Sequence, residues 1–142
     1  MEVSDVKRRL RTAIEEARRH ADERRAKKDA AVREWERVLT EIAIPVFQQL
    51  ALALNAEGHR FQVVTPGAAV RLVPERGGEE FVELALDTDG DEPAVMIRST
   101  RGRGRRIVAT ERPLTARPAA AVLTDDLLMD DVVPELIKLI ER

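Results

Sequence analysis

The chain has 142 residues, of which 44% are hydrophobic and 35% charged, and its formal net charge at pH 7 is −2. This length suits one domain with an extension, and the small net charge gives no global field that would attract nucleic acid or an acidic membrane. The absence of Cys excludes disulfides, thiolate zinc sites and thiol nucleophiles. The charged N-terminus is unlike a leader peptide, and we expect no apolar run of bilayer-spanning length, so a cytoplasmic protein without membrane contact is predicted.

Residues 4–56 predict one long helix around which the rest of the chain is organised. Between residues 4 and 44 there is neither Gly nor Pro, and strong helix formers dominate the composition. Ser4 is suited to cap the N-terminus, and Gly58 stands where a C-terminal glycine cap belongs. Pro45 is expected to kink the helix near residue 44.

A stripe of small and apolar residues recurs along this helix at alternating steps of four and three. The period of about 3.5 residues is that of a coiled coil rather than of a solitary surface helix. Arg24 and Lys28 interrupt the stripe, and their side chains would have to extend past it to reach water. The predicted oligomer interface consists of Leu10, Ile14, Ala17, Ala21, Ala31, Trp35, Val38 and Ile42.

The predicted helix is longer than any globule that this chain can form. About 50 residues at about 1.5 Å each span roughly 80 Å, whereas a compact chain of this size is about 40 Å across. We therefore expect residues 1–44 to project and to self-associate, with a dimer favoured. A solitary salt-bridged helix is one alternative. A helix folded back as a hairpin is the other, and the lack of turn residues between 18 and 29 argues against it.

From residue 60 the hydrophobic period changes to two, which is typical of strands. The connections are too short for parallel crossovers, so the strands form an antiparallel meander in the order 1-2-3-4-5. We expect Ile107 and Ala109 to face the core. The opposite face, with Arg71, Glu83 and Arg98, is expected to be solvated. The five strands are predicted at residues 60–65, 69–74, 80–87, 94–100 and 105–112.

The C-terminal part predicts a linker followed by a helix. Residues 113–123 are rich in Ala and Pro, and Thr124 is suited to cap a helix over residues 125–142. Pro134 is expected to bend or split that helix. The predicted fold class is α+β, with a projecting helix, a five-stranded antiparallel sheet and a C-terminal helix packed on the sheet. The domain division is residues 1–44 for oligomerisation and residues 45–142 for the α+β body, which begins with a helix at 45–57.

Asp87, Asp89 and Asp91 have the spacing of the first three ligands of a calcium loop. However, Glu92 and Arg98 occupy the positions at which such a loop requires Gly and Glu. We therefore expect a polar turn there and no metal.

Seven arginines fall within residues 98–117, the arginine hairpin, where Glu111 is the only acid. Its Arg-Gly-Arg-Gly-Arg tip can bring guanidinium groups and backbone amides to phosphates, although no aromatic residue is interleaved for base stacking. The residues predicted for phosphate or nucleic-acid contact are Arg98, Arg101, Arg103, Arg105 and Arg106.

The sequence contains no nucleophile elbow and no P-loop, and His20 and His59 lack partners at metal-ligand spacing. We predict a non-catalytic homo-oligomeric scaffold or adaptor that self-associates through its N-terminal helix, binds an unidentified protein and needs no cofactor. A nucleic-acid-binding protein that uses the arginine hairpin is the alternative. A small enzyme with a cleft between protomers is the third hypothesis.

Overall fold

The computed structural model describes residues 2–76 and 78–141. The fold is α+β, as the sequence predicts. The helical elements are α1 (Val3–Val38), a π-helical turn (Leu39–Ala43), α2 (Ile44–Ala56), a short 3-10 turn (Ala120–Val122) and α3 (Asp125–Ile140). The strands are β1 (Phe61–Val64), β2 (Ala69–Pro74), β3 (Phe81–Asp87), β4 (Ala94–Arg103) and β5 (Arg106–Pro113).

The sheet is the predicted antiparallel meander, with strands in the order β1-β2-β3-β4-β5. β4 extends three residues beyond its predicted end because its pairing with β5 continues to Arg103 and Arg106. The tight turn between them contains Gly104 with φ +66°, a backbone conformation that Gly adopts without the steric cost of a side chain.

One face of the sheet is covered by helices and holds the core. The predicted inward positions Val70, Leu72, Val82 and Leu84 are fully buried there. Because α1, the π-helical turn and α2 cross this face beside α3, the body has two layers, a sheet and a helical layer. The helical side of the core comprises Trp35, Val38, Leu39, Ala43, Val46, Phe47, Leu50, Ala51, Leu128, Val132, Leu136 and Leu139.

The kink expected at Pro45 is not shown, and the helical path runs from Val3 to Ala56. Proline has no amide hydrogen to donate, and its ring clashes with the carbonyl of the residue four positions earlier. A π-helical turn precedes it, and the Ile44 N–H donates to the carbonyl of Leu39, five residues back. The hydrogen-bond ladder therefore changes just before the proline, and the helix continues. α3 likewise runs through Pro134 without splitting.

The prediction that Ile107 and Ala109 of β5 face the core is wrong, because Ile107 is 56% exposed and Ala109 is also exposed. The register places Thr110 opposite Ser99 and Arg112 opposite Ile97, so the helix-covered face of β5 carries Thr110 and Arg112. Ile107, Val108 and Ala109 are all apolar, so the alternation did not define a face. A shift of one residue then exchanges the two faces of the whole strand.

The charges on the open face of the sheet form one row across four strands. The register pairs Arg71 with Glu83, Glu83 with Arg98, and Arg98 with Glu111. The corresponding nitrogen–oxygen distances are 2.8, 3.5 and 3.4 Å. Glu83 is only 4% exposed, and the Arg71 guanidinium lies 3.9 Å from the centre of the Phe81 ring. These neighbours bury Glu83, whereas Glu111 at the end of the row stays exposed, so only part of this face is solvated as we expected.

Candidate functional site

The most prominent surface is the projecting helix, which we define as residues 3–26 of α1. The helix meets the rest of the chain at Lys27, whose Nζ lies 3.1 Å from Glu92 Oε1. Ala31 then lines a groove beside the Ala120–Val122 turn, and Trp35 enters the core. At about 1.5 Å per residue the projection is roughly 36 Å long. It is shorter than the expected 44 residues because the stripe after residue 30 packs on its own sheet.

The predicted oligomer interface is divided between two environments. Trp35 and Val38 are 1% and 0% exposed in the single chain, Ile42 packs against the same core, and Ala31 is half-buried in the groove. The Trp35 indole N–H donates to the carbonyl of Ala68 at 2.7 Å. These four residues stabilise the protomer itself.

The other four predicted interface residues, Leu10, Ile14, Ala17 and Ala21, lie on the projecting helix. Leu10 and Ile14 are 58% and 43% exposed, and Val3 and Val6 extend the same apolar stripe to the helix N-terminus. The structure therefore presents an apolar strip over residues 3–21, interrupted only at Lys7, that nothing in the described chain covers.

Charge is distributed unevenly around the projecting helix. In a heptad repeat the stripe occupies positions a and d, and positions e and g flank it. Over residues 3–28 none of these four positions holds an acid. The acids occupy the opposite side, including Glu15, Glu16, Asp22 and Glu23. The first 28 residues hold ten of the 24 basic residues but only six of the 26 acidic residues. The apolar period alone does not indicate this basic flank, although the positions of the charges in the sequence reveal it. The basic residues of the stripe face are Lys7, Arg11, Arg18, Arg24, Arg25, Lys27 and Lys28.

Of the five arginines predicted for phosphate contact, Arg98 is engaged in the charge row of the open sheet face. The other four lie near the end of the arginine hairpin. Within the described residues none of them forms an ion pair or a side-chain hydrogen bond. Their side chains are thus available to solvent anions. These four are Arg101, Arg103, Arg105 and Arg106.

An open cleft of about 530 Å³ lies beside the hairpin end and is lined by Arg101, Arg103, Lys138 and Glu141. The Gly102 N–H donates to Glu80 Oε2 at 3.1 Å, which holds this end of β4 to the loop before β3. Two guanidinium groups, the Lys138 ammonium, whose Nζ lies 3.2 Å from Glu135 Oε1, and one carboxylate therefore surround a space large enough for a phosphate group.

A buried polar cluster fastens α3 to the sheet. Asp131 accepts hydrogen bonds from Arg112 Nη1 at 2.7 Å and from the Thr115 hydroxyl at 2.7 Å and backbone N–H at 3.1 Å. Glu135 accepts one from Ser99 Oγ at 3.2 Å. Burial raises the pKa of the Asp131 carboxyl, but the hydrogen bonds from Arg112 and Thr115 lower it more, so its pKa lies below the ordinary value.

The remaining candidate groups are dispersed. The Asp89 N–H donates to Asp87 Oδ1 at 2.9 Å, as in a polar turn. Within residues 2–76 and 78–141 no cluster of three His, Asp or Glu side chains is placed to hold a metal. His59 lines an open cleft of about 580 Å³ with Arg60 and Arg76, whereas His20 lies on the projecting helix.

By length and composition, the continuous helix contains one segment apolar enough to cross a membrane, contrary to our expectation. It falls in the part of the helix between Arg37 and Glu57, where Glu41 is the only charged residue. This indication is weak, because core helices pass the same test, and 39% of the segment is buried inside the fold. Val46, Phe47 and Leu50 account for part of that burial.

No protein-family model matches the chain, no curated protein matches it, and no solved structure matches it. The observations define an α+β body that carries a projecting helix with an exposed apolar stripe. The arginine hairpin supplies a second exposed surface at one end of the sheet. Function is therefore inferred from these two surfaces.

We predict that Asp131→Asn lowers the free energy of unfolding at pH 7 by about 1.5–3 kcal/mol, because a charged hydrogen-bond acceptor is lost. The folded-state pKa of Asp131 is depressed, so its stabilisation is present above the unfolded pKa of about 3.9. It is lost as the pH falls through the folded pKa. Urea titrations of both proteins should therefore differ at pH 7, and the difference should shrink as the pH falls below about 4.

Asp130→Asn is the matched control, because Asp130 is the exposed neighbour on the same helix. Its effect should be within about 0.5 kcal/mol at both pH values. If Asp131→Asn leaves the free energy of unfolding unchanged at pH 7, or lowers it by the same amount at low pH, the cluster does not stabilise the ionised carboxylate.

Proposed function

We propose that the protein is a non-catalytic scaffold or adaptor that self-associates through the apolar stripe of its projecting helix. The observation that carries the proposal is the exposure of Val3, Val6, Leu10 and Ile14 on a segment that extends roughly 36 Å from the body. Isolated exposed apolar residues are common, but a row of them at helical spacing is typical of a partner-binding face.

A second helix is the partner that would best stabilise the projecting helix. Most helical stability in proteins comes from the packing of an apolar face, and the described part of the chain offers the projecting helix no such packing. Two ion pairs on the projecting helix, Arg8 with Asp5 at 3.2 Å and Arg25 with Asp22 at 3.6 Å, are solvent-exposed. Such pairs contribute at most about 1 kcal/mol each. A paired helix would add apolar burial without any change in the body, whose open sheet face stays accessible to another macromolecule.

We expect sedimentation equilibrium to detect a reversible dimer at tens of micromolar, and the double variant Leu10→Glu with Ile14→Glu to sediment as a monomer. Carboxylates at these positions would have to be buried without partners in the helix pair, which is strongly unfavourable. Circular dichroism and urea unfolding of the body should change little, since neither residue contacts it.

The matched control is Thr12→Glu with Ala26→Glu, which makes the same change in net charge at two exposed positions away from the stripe. This variant should dimerise like the parent chain. A parent chain that is strictly monomeric at these concentrations would refute the proposal.

A second candidate function is phosphate or nucleic-acid binding by the arginine hairpin. It is favoured by the four arginines at the hairpin end, which have no ion-pair partner among the residues that the structure describes, and by the adjacent cleft that Lys138 also lines. Backbone phosphates are bound mainly through such charges, with release of counterions. The row that contains Arg98 would position the hairpin rather than contact the ligand.

For this function we expect retention of duplex DNA or RNA at low salt that weakens as salt is raised. Arg103→Glu with Arg105→Glu should lower the affinity at least about tenfold and reduce the slope of log K against log salt by about two. Arg33→Glu with Arg60→Glu makes the same charge change elsewhere and should have a smaller effect. Absence of binding by the parent chain at low salt would eliminate this candidate.

A further inference from the structure

We propose that the two projecting helices of a dimer pair antiparallel, with Leu10 of each facing the partner's Ile14, and with the bodies at opposite ends. This inference rests on the proposed self-association and adds to it the direction and register of the pair. Two independent features of the chain carry it, namely the position of the body relative to the stripe and the distribution of basic residues.

The body lies on the side of the helix to which the exposed stripe points. Leu10 and Trp35 are about 25 residues apart, which is about seven turns at 3.6 residues per turn, so they lie on one face. Trp35 is buried in the core. In a parallel pair both bodies would have to fit between helices whose axes are only about 8–10 Å apart. An antiparallel pair avoids this overlap, provided that the partner's helix ends before Lys27.

The basic residues oppose parallel pairing as well. With parallel helices in register, Lys7, Arg24 and Lys28 would each face the same residue of the partner within the stripe. No acid in the stripe or its flanks over residues 3–28 would compensate these three layers of like charge.

Among antiparallel registers, the one that places Leu10 opposite the partner's Ile14 removes the like-charge layers within the stripe. Val3 then faces the partner's Ala21, and Ala17 faces the partner's Lys7, whose stem can pass the small side chain to reach water. Arg24 and Lys28 lie beyond the overlap. If the overlap of the two helices were one heptad longer, Arg24 would face the partner's Lys7. If it were one heptad shorter, Ala17 and Ala21 would be left unpaired.

This register also agrees with the space that the body leaves. The overlap covers about 19 residues, or about 28 Å, and ends before the Lys27–Glu92 contact. A seam of this length with two alanines in each helix buries little area, so a reversible dimer is expected rather than an obligate one.

Pulsed electron–electron double resonance on singly spin-labelled full-length chains tests the direction of the pair. The chain has no native Cys, so Ala26→Cys and Thr12→Cys each give one label on an exposed position away from the stripe. In the proposed dimer the labels at Ala26 are about 28 residues, or about 42 Å, apart along the axis, and with a lateral separation of about 25–30 Å the distance between them is about 50 Å. Those at Thr12 lie near the two-fold axis at roughly 25–30 Å.

A distance of about 50 Å at Ala26, together with 25–30 Å at Thr12, is the expected result. Distances of 25–30 Å at both positions would establish a parallel pair, which overturns the inference and leaves the proposed self-association intact. No dipolar modulation at either position, with a monomer in sedimentation, would overturn both.

Discussion

The packing of the central part of the long helix on the sheet is the interaction on which the remaining architecture depends. Trp35, Val38 and Phe47 are almost completely buried there, and α3 packs on the same face of the sheet. This contact fixes the direction in which α1 leaves the body. It also provides a folded helical segment from which the projecting helix extends, so that the unfavourable nucleation step is not needed again.

The same stripe of residues serves two environments in succession. Between residues 31 and 42 it packs on the chain's own body, and over residues 3–21 it is exposed. This continuity gives the exposed part an orientation toward the body, and the body then restricts how a second helix can approach. The basic residues within the stripe have the same consequence, because parallel pairing would stack Lys7, Arg24 and Lys28 on their own copies. Sterics and electrostatics thus favour one direction of pairing.

Much of the fold could be predicted from the sequence where one pattern was strong. The period of two gave β2, β3 and β4 and their inward residues. The Thr124 cap was also predicted, and its hydroxyl accepts a hydrogen bond from the Leu127 N–H. The β5 face could not be predicted because Ile107, Val108 and Ala109 show no alternation, and the polar contacts of Arg112 and Thr110 decide it.

The length of the projecting helix and the contacts of the arginines could not be predicted from the sequence. A helical stripe looks the same whether a sheet or a second helix covers it, so Trp35 and Val38 fitted an oligomer interface equally well. Arg98 joins the charge row, whereas the other four arginines have no partner among the described residues. This difference depends on strand register, which short turns only partly determine. The π-helical turn before Pro45 has no local sequence signal that distinguishes it from a kink.

The central claim is that the projecting helix obtains its stabilising contacts from a second copy of the chain. Hydrogen exchange of amides 3–26, measured by mass spectrometry over a hundredfold range of protein concentration, tests it directly. We predict that protection of these amides rises with concentration while protection of the body stays constant. Protection of residues 3–26 that does not change with concentration would contradict the account.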